Sequence, residues 1–520
     1  MRIQIRLRAL ILSVAFIAGS MAVVAAADVE AGFKSLFNGN DLTGWDGDPK
    51  FWSVQDGVIT GQTTKDNPAK GNTFLIWREG PLDDFELHLS YRIAGNNPDK
   101  WGNSGVQYRS RDFGNWVAGG YQADIETGKT YSGILYEERM RGILANRGQK
   151  VVIDPDGKIQ VVGSVGNSDE IQAGIKNEDW NDYVIIARGY HLVHKINGRV
   201  TVDVTDEQAS KRARSGILAL QLHAGQPMTI QFKDIRLKRL PLVDAKKVVL
   251  VAGGPSHGPG AHEHNAGVAL WNHCLEKVPG IVTAAYIHCD GWPMDPTAFD
   301  NADALVFFVD GGQGNPMIRD HRLSELGGLM QQGIGLACIH YTVEVPKNHG
   351  GAEFTDWIGG YYETGYSTNP TWKADFAHLP EHPITRGVKP FSLVDEWYYN
   401  IKFPSQQTGF TPILEAMPPD DTRGTAAARE HAGRAEILAW ALERPDGGRG
   451  FGFTGGHFHN NWGNDNFRKL VLNAILWTAK AEVPPDGVES TVTPEDLQWN
   501  LDPKDDQKSV PAPWLQTEIP

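Results

Sequence analysis

Two hydrophobic rhythms divide this chain. From about residue 33 to 240, apolar and polar residues alternate in short runs, such as Phe85-Glu-Leu-His-Leu-Ser-Tyr-Arg-Ile93 and Tyr183-Val-Ile-Ile-Ala-Arg188. A period of two belongs to strands with one buried face. Turn dipeptides separate the runs: Asp56-Gly57, Asp156-Gly157 and Asn197-Gly198. Asn197-Gly198, between His191–Ile196 and Val200–Val204, predicts a tight hairpin. No long amphipathic helix is predicted here, so this half reads as an all-β sandwich or jelly roll.

Near residue 241 the pattern becomes one of buried apolar runs alternating with helices. Lys246–Gly254, Val282–His288, Asp303–Val309, Gly335–His340, Ile437–Leu442 and Phe451–Gly455 read as strands. Helices are predicted over Asn265–Val278, Asp320–Gln332 and Asp465–Lys480. Strand alternating with helix implies a parallel sheet with crossover helices. Residues 341–430 read as a long, loop-rich insertion. The stretch from 482 to 520 is rich in Pro and Asp and is expected to lack fixed structure.

The N-terminus reads as a secretory signal. Arg2, Arg6 and Arg8 precede an apolar stretch from Leu10 to Val24, and Ala25-Ala-Ala27 offers a cleavage site. The expected division is a signal peptide at 1–27, a β-sandwich at 28–240, an α/β domain at 241–481 and a tail at 482–520. A periplasmic or secreted location follows. The net charge of −14, with no basic block after the signal, argues against a nucleic-acid partner. Cys274, Cys289 and Cys338 are the three cysteines, and their odd number does not suggest a disulfide framework.

Chemically capable side chains share one parity on three predicted strands of the first half. They are Gln107 and Arg109; Gln122, Asp124 and Glu126; and Gln221 and His223. The opposite parity (Val106, Tyr108, Ile125, Leu220, Leu222) is apolar or aromatic. One sheet face thus carries acids, amides, an arginine and a histidine, a set suited to polyol binding or proton transfer. Trp101, Trp116 and Tyr131 are candidates to stack on a sugar. In the second half, Ser256, His257, His262 and His264, then Asp310, His340, His457 and His459, follow predicted strands. Ligands of open α/β sheets bind at those ends.

Ser35-Leu-Phe-Asn-Gly-Asn-Asp-Leu-Thr-Gly-Trp45, Asn103–Arg109, Gly120–Asp124, Tyr131–Glu137, Gln221–His223 and Phe232–Arg236 match, in order, motifs of the 3-keto-disaccharide hydrolase family. Residues 33–240 resemble that family. The resemblance implies a concanavalin-like jelly roll acting on glycosides already oxidised at C3 by a separate oxidase or dehydrogenase. A 3-keto group acidifies the C2 proton. Its removal leads to elimination across C1–C2, and hydration then gives net hydrolysis. His223 could be the base, or Asp124 or Glu126 could be, each raising the other's pKa. Asp124 and Glu126 could instead hold one divalent metal ion. Arg109 and Arg141 could stabilise the oxyanion, and Tyr136 or Glu137 could donate a proton. Gln107, Gln122, Gln221, Trp101 and Tyr131 would bind substrate. Arg141 could equally form an ion pair with Glu138.

Gly253-Gly-Pro-Ser-His257, Gly333–His340, Asp395-Glu-Trp-Tyr398 and Gly455-Gly-His-Phe-His459 resemble the ThuA-like family. That resemblance covers about 246–480 and implies a glutamine-amidotransferase-like (flavodoxin-like) fold that binds or processes sugars, with Glu396 joining His257, His262, His340, His457 and His459. Cys338 lacks a glycine-framed elbow, so glutaminase chemistry is not expected. No nucleotide cofactor is expected, because Gly253–Gly260 contains two prolines and no phosphate-binding lysine. Two other readings remain: a non-catalytic carbohydrate-binding sandwich, and a metal-dependent hydrolase housed in the second half.

Overall fold

A computed structural model describes residues 31–405 and 408–504. The expected signal segment, and residues 505–520 of the expected tail, lie outside the described residues. Residues 34–239 form a ten-stranded and a seven-stranded sheet. Leu87, Leu89 and Tyr91 of the larger sheet meet Val106, Tyr108 and Ile125 of the smaller one in a shared core. The site-bearing strands of the smaller sheet are β1 (Asn103–Asp112), β2 (Ala118–Glu126), β3 (Leu135–Glu137) and β4 (Ile217–Leu222). They lie side by side in the order β3-β2-β1-β4, all antiparallel. The Asn197-Gly198 turn forms as expected, with φ of 49° and 77°, between strands His191–Ile196 and Arg199–Asp206. Positive φ at both central residues matches the twist of the strands they join. A single helix, Ser168–Ala173, is described in this half.

The second half is built on β5 (Lys246–Ala252), β6 (Ile281–Tyr286), β7 (Ala304–Phe308) and β8 (Gly335–Ile339). It continues with β9 (Thr371–Phe376), β10 (Phe391–Glu396), β11 (Phe410–Ala416), β12 (Glu436–Glu443) and β13 (Arg449–Phe453). Strands β6-β5-β7-β8-β13 run parallel, and β12 and β11 extend the edge antiparallel. Counted along the chain, the parallel order is 2-1-3-4-5, a doubly wound sheet. Helices α1 (His264–Leu275) and α4 (Asp465–Thr478) cover one face, while α2 (Arg322–Gln331) and α3 (Gly351–Ile358) cover the other. Alternate residues of β5 divide between the two layers: Val248 and Leu250 go to one, Val249 and Val251 to the other. Burial on both faces explains why these strands read as unbroken apolar runs.

Two stretches differ from expectation. The 341–430 insertion is rich in loop, as expected, but it also contains α3, the β9–β10 hairpin and β11. Residues 482–504 do not hang free. Val483, Val488 and Leu497 are buried in the second core, and Lys504 pairs with Glu263 at 3.0 Å. Among the described residues, no helix is long and apolar enough to cross a membrane.

Buried charge joins the halves. Asp83, in the turn before the strand Phe85–Gly95, lies 2.9 Å from Lys247 of β5 and 3.3 Å from Arg239. Arg239 also pairs with Asp295 at 2.8 Å, and the Tyr286 hydroxyl donates to Asp295. All four charged side chains are buried. The two cations hold Asp83 well below the usual carboxylate range despite the opposing cost of its burial.

Candidate functional site

The alternation rule places most of the expected polar face correctly. Gln107, Gln122 and Gln221 form an amide ladder: Gln122 Oε1 accepts from Gln107 Nε2 at 2.6 Å and from Gln221 Nε2 at 3.1 Å. Ser110 Oγ donates to Gln107 Oε1 at 2.7 Å. Next to the ladder, Asp124 is only 5% exposed. Its Oδ1 accepts from Asn103 Nδ2 at 3.2 Å and from the Ile125 amide at 2.9 Å. Burial, reinforced by the nearby Glu126 charge, outweighs those hydrogen bonds and pushes its carboxyl up to about 8. Tyr136 lies opposite Gln122 across the β2–β3 ladder. Burial raises its phenol, and the charges of Glu138 and Asp124 add to the shift.

His223 lies just beyond β4, with Nδ1 2.6 Å from the Ala224 carbonyl and its ring edge-on to Trp101 at 5.4 Å. Trp101 and His223 thus line one end of the face, where Asn72 accepts from the Ala224 amide and donates to Glu138. Tyr131 is 42% exposed at the rim, and Trp116 donates to Asp46. Asn103, Ser110, Asn72 and Glu138 belong to this face and were not singled out from sequence. Asn103 shares the parity of Gln107 by plain alternation, whereas Ser110 reaches the face only because of the register break after Tyr108.

Three expected catalytic residues are elsewhere, and a fourth, Glu126, is on the face but committed to a turn. Arg109 has φ of 47° at a break in register between Tyr108 and Arg111. This bulge turns its side chain off the face into the protein. There it donates to the Asp83 and Gly189 carbonyls and pairs with Asp84 at 2.6 Å. Glu137 lies opposite core-facing Tyr121, so it has the wrong parity for the face. It pairs with Arg141, which also bonds Asp206 at 2.6 Å, and Tyr121 donates to the same carboxylate. Arg141 is therefore bound by Glu137 and Asp206, not by Glu138. Glu126 Oε1 accepts the amides of Thr130 and Tyr131, closing the 127–131 turn. Glu126 Oε1 is thus occupied by backbone amides, and no group of three or more candidate ligands among the described residues includes Asp124 or Glu126.

The second site gathers at the carboxyl ends of the parallel strands. The loop after β5 brings His257 and His262, β7 leads to Asp310, β8 to His340, and β13 to His457. The β9–β10 hairpin from the insertion delivers Glu396. His262 Nε2 lies 2.9 Å from His457 Nδ1 and 3.1 Å from His340 Nε2. Glu396 Oε2 lies 3.0 Å from His457 Nδ1 and 3.6 Å from His340 Nε2. One ligand atom from each of the four residues lies within 4.8 Å of the others. Outer partners orient the rings: His340 Nδ1 meets the Thr454 carbonyl at 2.8 Å, and His262 Nδ1 faces Asp310 at 3.4 Å. Asp395 accepts the Gly456 and His457 amides. Burial, then neighbouring imidazoles, holds His262 and His340 well below the usual histidine range.

His257 covers His262, ring centroids 3.7 Å apart. His257, His262 and His340 have φ of 60°, 49° and 54°. Left-handed backbone at a non-glycine residue is strained, and such strain clusters at functional sites. His459 does not join the group. It is buried near Glu263, Leu497 and Lys504, which lowers it to about 4 chiefly through burial. Tyr398, whose hydroxyl is 3.3 Å from His340 Nε2, is a member that sequence reasoning missed, although it stands in the Asp395–Tyr398 motif. Cys338 is buried within β8, and burial pushes its thiol up, away from nucleophilic use.

Residues 32–238 match the family model described as a 3-keto-alpha-glucoside-1,2-lyase-like domain, and residues 251–478 match that of Trehalose utilisation, ThuA. No curated protein matches the chain. Among solved structures, a protein of Parabacteroides distasonis ATCC 8503, provisionally described as a glycosyl hydrolase, is 19% identical with a TM-score of 0.28. That match covers 40% of this chain and 99% of that one. Carbohydrate binding module CBM66 from Bacillus subtilis is 14% identical over 38% of this chain and 95% of its own, with a TM-score of 0.26. Alginate lyase Aly36B is 12% identical over 39% and 89%, with a TM-score of 0.25.

Proposed function

We propose that this chain, which joins a 3-keto-alpha-glucoside-1,2-lyase-like domain to a ThuA domain, is a secreted enzyme that cleaves glycosides oxidised at C3. One observation carries the reading. Asp124 sits buried on the amide-lined face with its carboxyl pushed up to about 8, where a base can both take and hold a proton near neutral pH.

Asp124 removes the C2 proton, and the C–H electrons form the C2–C3 enolate. The enolate re-forms the C3 carbonyl, creates the C1–C2 double bond and breaks the bond from C1 to the leaving oxygen. Tyr136 supplies the proton that oxygen takes up. Water then adds its oxygen at C1 and a proton at C2, giving net hydrolysis. Asn103 and Gln122 position the base, and the amide ladder offers donors to sugar oxygens. A C3 oxidase or dehydrogenase must act upstream. In the second domain, the 2-1-3-4-5 order supports a flavodoxin-like, amidotransferase-related fold that handles sugars.

The test is release from a chromogenic glucoside and its 3-keto counterpart in deuterated water. Release from the keto substrate alone, with deuterium at C2, is expected. Asp124→Asn should lower kcat at least ~100-fold with KM little changed, the size of a lost general base. An equal turnover in Asp124→Asn would remove Asp124 from the mechanism. Binding of both sugars with no release from either would favour a non-catalytic carbohydrate-binding sandwich.

A further inference from the structure

The contact between His262 and His340 sets two ring nitrogens against each other in a way that neutral imidazoles do not satisfy. His340 Nδ1 meets a carbonyl, which can only accept, so this nitrogen carries the proton and leaves a lone pair on Nε2. His262 Nδ1 faces the Asp310 carboxylate, which likewise leaves a lone pair on its Nε2. Those two Nε2 atoms are 3.1 Å apart. His457 can donate toward Glu396, and Tyr398 toward His340, yet two acceptors still face each other. A cation between them removes the conflict.

The spacing fits one. A tetrahedral metal about 2.0–2.1 Å from each ligand sets the ligands about 3.3 Å apart. Four of the six ligand–ligand separations run from 2.9 to 3.6 Å, and all six lie within 4.8 Å. Each outer contact also has the form that fixes metal-bound histidines: a carbonyl behind His340, and a carboxylate behind His262.

A cavity of about 480 Å³ lies beside the cluster; none of the four ligands lines it, but Asp310 and Tyr341, which both meet His262, do. Gly253 and Gly254 after β5, and Asp310 and Gly311 after β7, line it. This is the topological switch point of the 2-1-3-4-5 sheet, where ligands of such folds bind. Its charged side chains are Asp290, Asp310 and Arg319, and Arg319 is engaged by the Gly314 carbonyl. Carboxylates in excess repel phosphates and sugar acids but pair well with hydroxyl groups.

We infer that His262, His340, His457 and Glu396 hold one first-row divalent metal ion of the zinc type. The side of the cluster formed by Glu396 and His457 is its exposed side, with 19% and 14% of those side chains accessible. An ion held by all four residues would be reached by solvent from that side, by expansion to a fifth ligand. The inference stands whether or not Asp124 is a base.

The experiment uses the full chain, stripped with chelator and then titrated with Zn²⁺ or Co²⁺. Stoichiometric uptake and intense tetrahedral Co²⁺ bands are expected in the wild type and in Asp124→Asn. Both should be lost in His340→Ala and weakened in Glu396→Gln, with circular dichroism unchanged in each. A folded wild type that takes up neither ion, or Co²⁺ spectra identical in wild type and His340→Ala, would overturn the metal site. Because Asp124→Asn leaves the ion in place, failure of the lyase reading is seen separately from failure of this one.

Discussion

Asp124 stores a pH dependence that can be read in stability as well as in rate. Its carboxyl titrates at 3.8 in a free chain and at about 8 in the fold. The folded chain therefore keeps a proton that the unfolded chain gives up. The stability tied to that proton is full below pH 3.8 and is lost as pH rises through about 8. Asparagine is neutral at every pH, so the melting temperature of Asp124→Asn minus that of the wild type should widen from pH 5 to 9. Calorimetry across that range checks it, and a constant gap would mean the site does not hold the proton. The kcat/KM profile should rise along a limb centred near 8. Alternation alone found Gln107, Gln122, Asp124 and Gln221, because a strand's two-residue period is strict. It failed at Arg109, where one bulged residue inverts everything after it, and polar–apolar alternation carries no sign of a bulge. Glu126 has the right parity, yet the turn that consumes its carboxylate is formed by residues the strand pattern does not cover.

At the scale of elements, the β9–β10 hairpin decides whether the second site exists. It carries Glu396 in from the insertion, and Asp395 beside it accepts the amides of Gly456 and His457. One residue thus fixes the hairpin to the loop that follows β13. Asp395→Ala should loosen metal binding by about 10–100-fold, as lost outer-sphere partners do, while the ligands themselves remain. Competition with a fluorescent chelator measures it. The parallel strands were legible because burial on both faces leaves runs such as Val248-Val-Leu-Val251. The hairpin was legible in part: Thr371-Trp-Lys-Ala-Asp-Phe376 alternates exposed and buried residues throughout. Its distance in sequence from any other strand hid what it delivers. The segment 482–504 was misread because its composition suggests disorder, whereas a few apolar anchors, Val483, Val488 and Leu497, hold it down.

Across the whole molecule, the two halves share the network of Asp83, Arg239, Lys247 and Asp295. Removing one member leaves buried charge uncompensated, which costs ~3–5 kcal/mol. Asp83→Ala should therefore lower stability by about that amount, and chemical denaturation followed by fluorescence measures it. If the network couples the halves, the wild type should unfold in one transition and the variant in two, and two transitions in the wild type would refute the coupling. The network has a consequence for how such a chain can be rearranged. Cutting near residue 241 would part Asp83 and Arg239 from Lys247 and Asp295, so each fragment would expose a face built around charges whose partners had left with the other piece. These two domains are not interchangeable beads on a string. A new partner for either would have to bring the matching charges with it, so sequence drift at the four positions must be concerted.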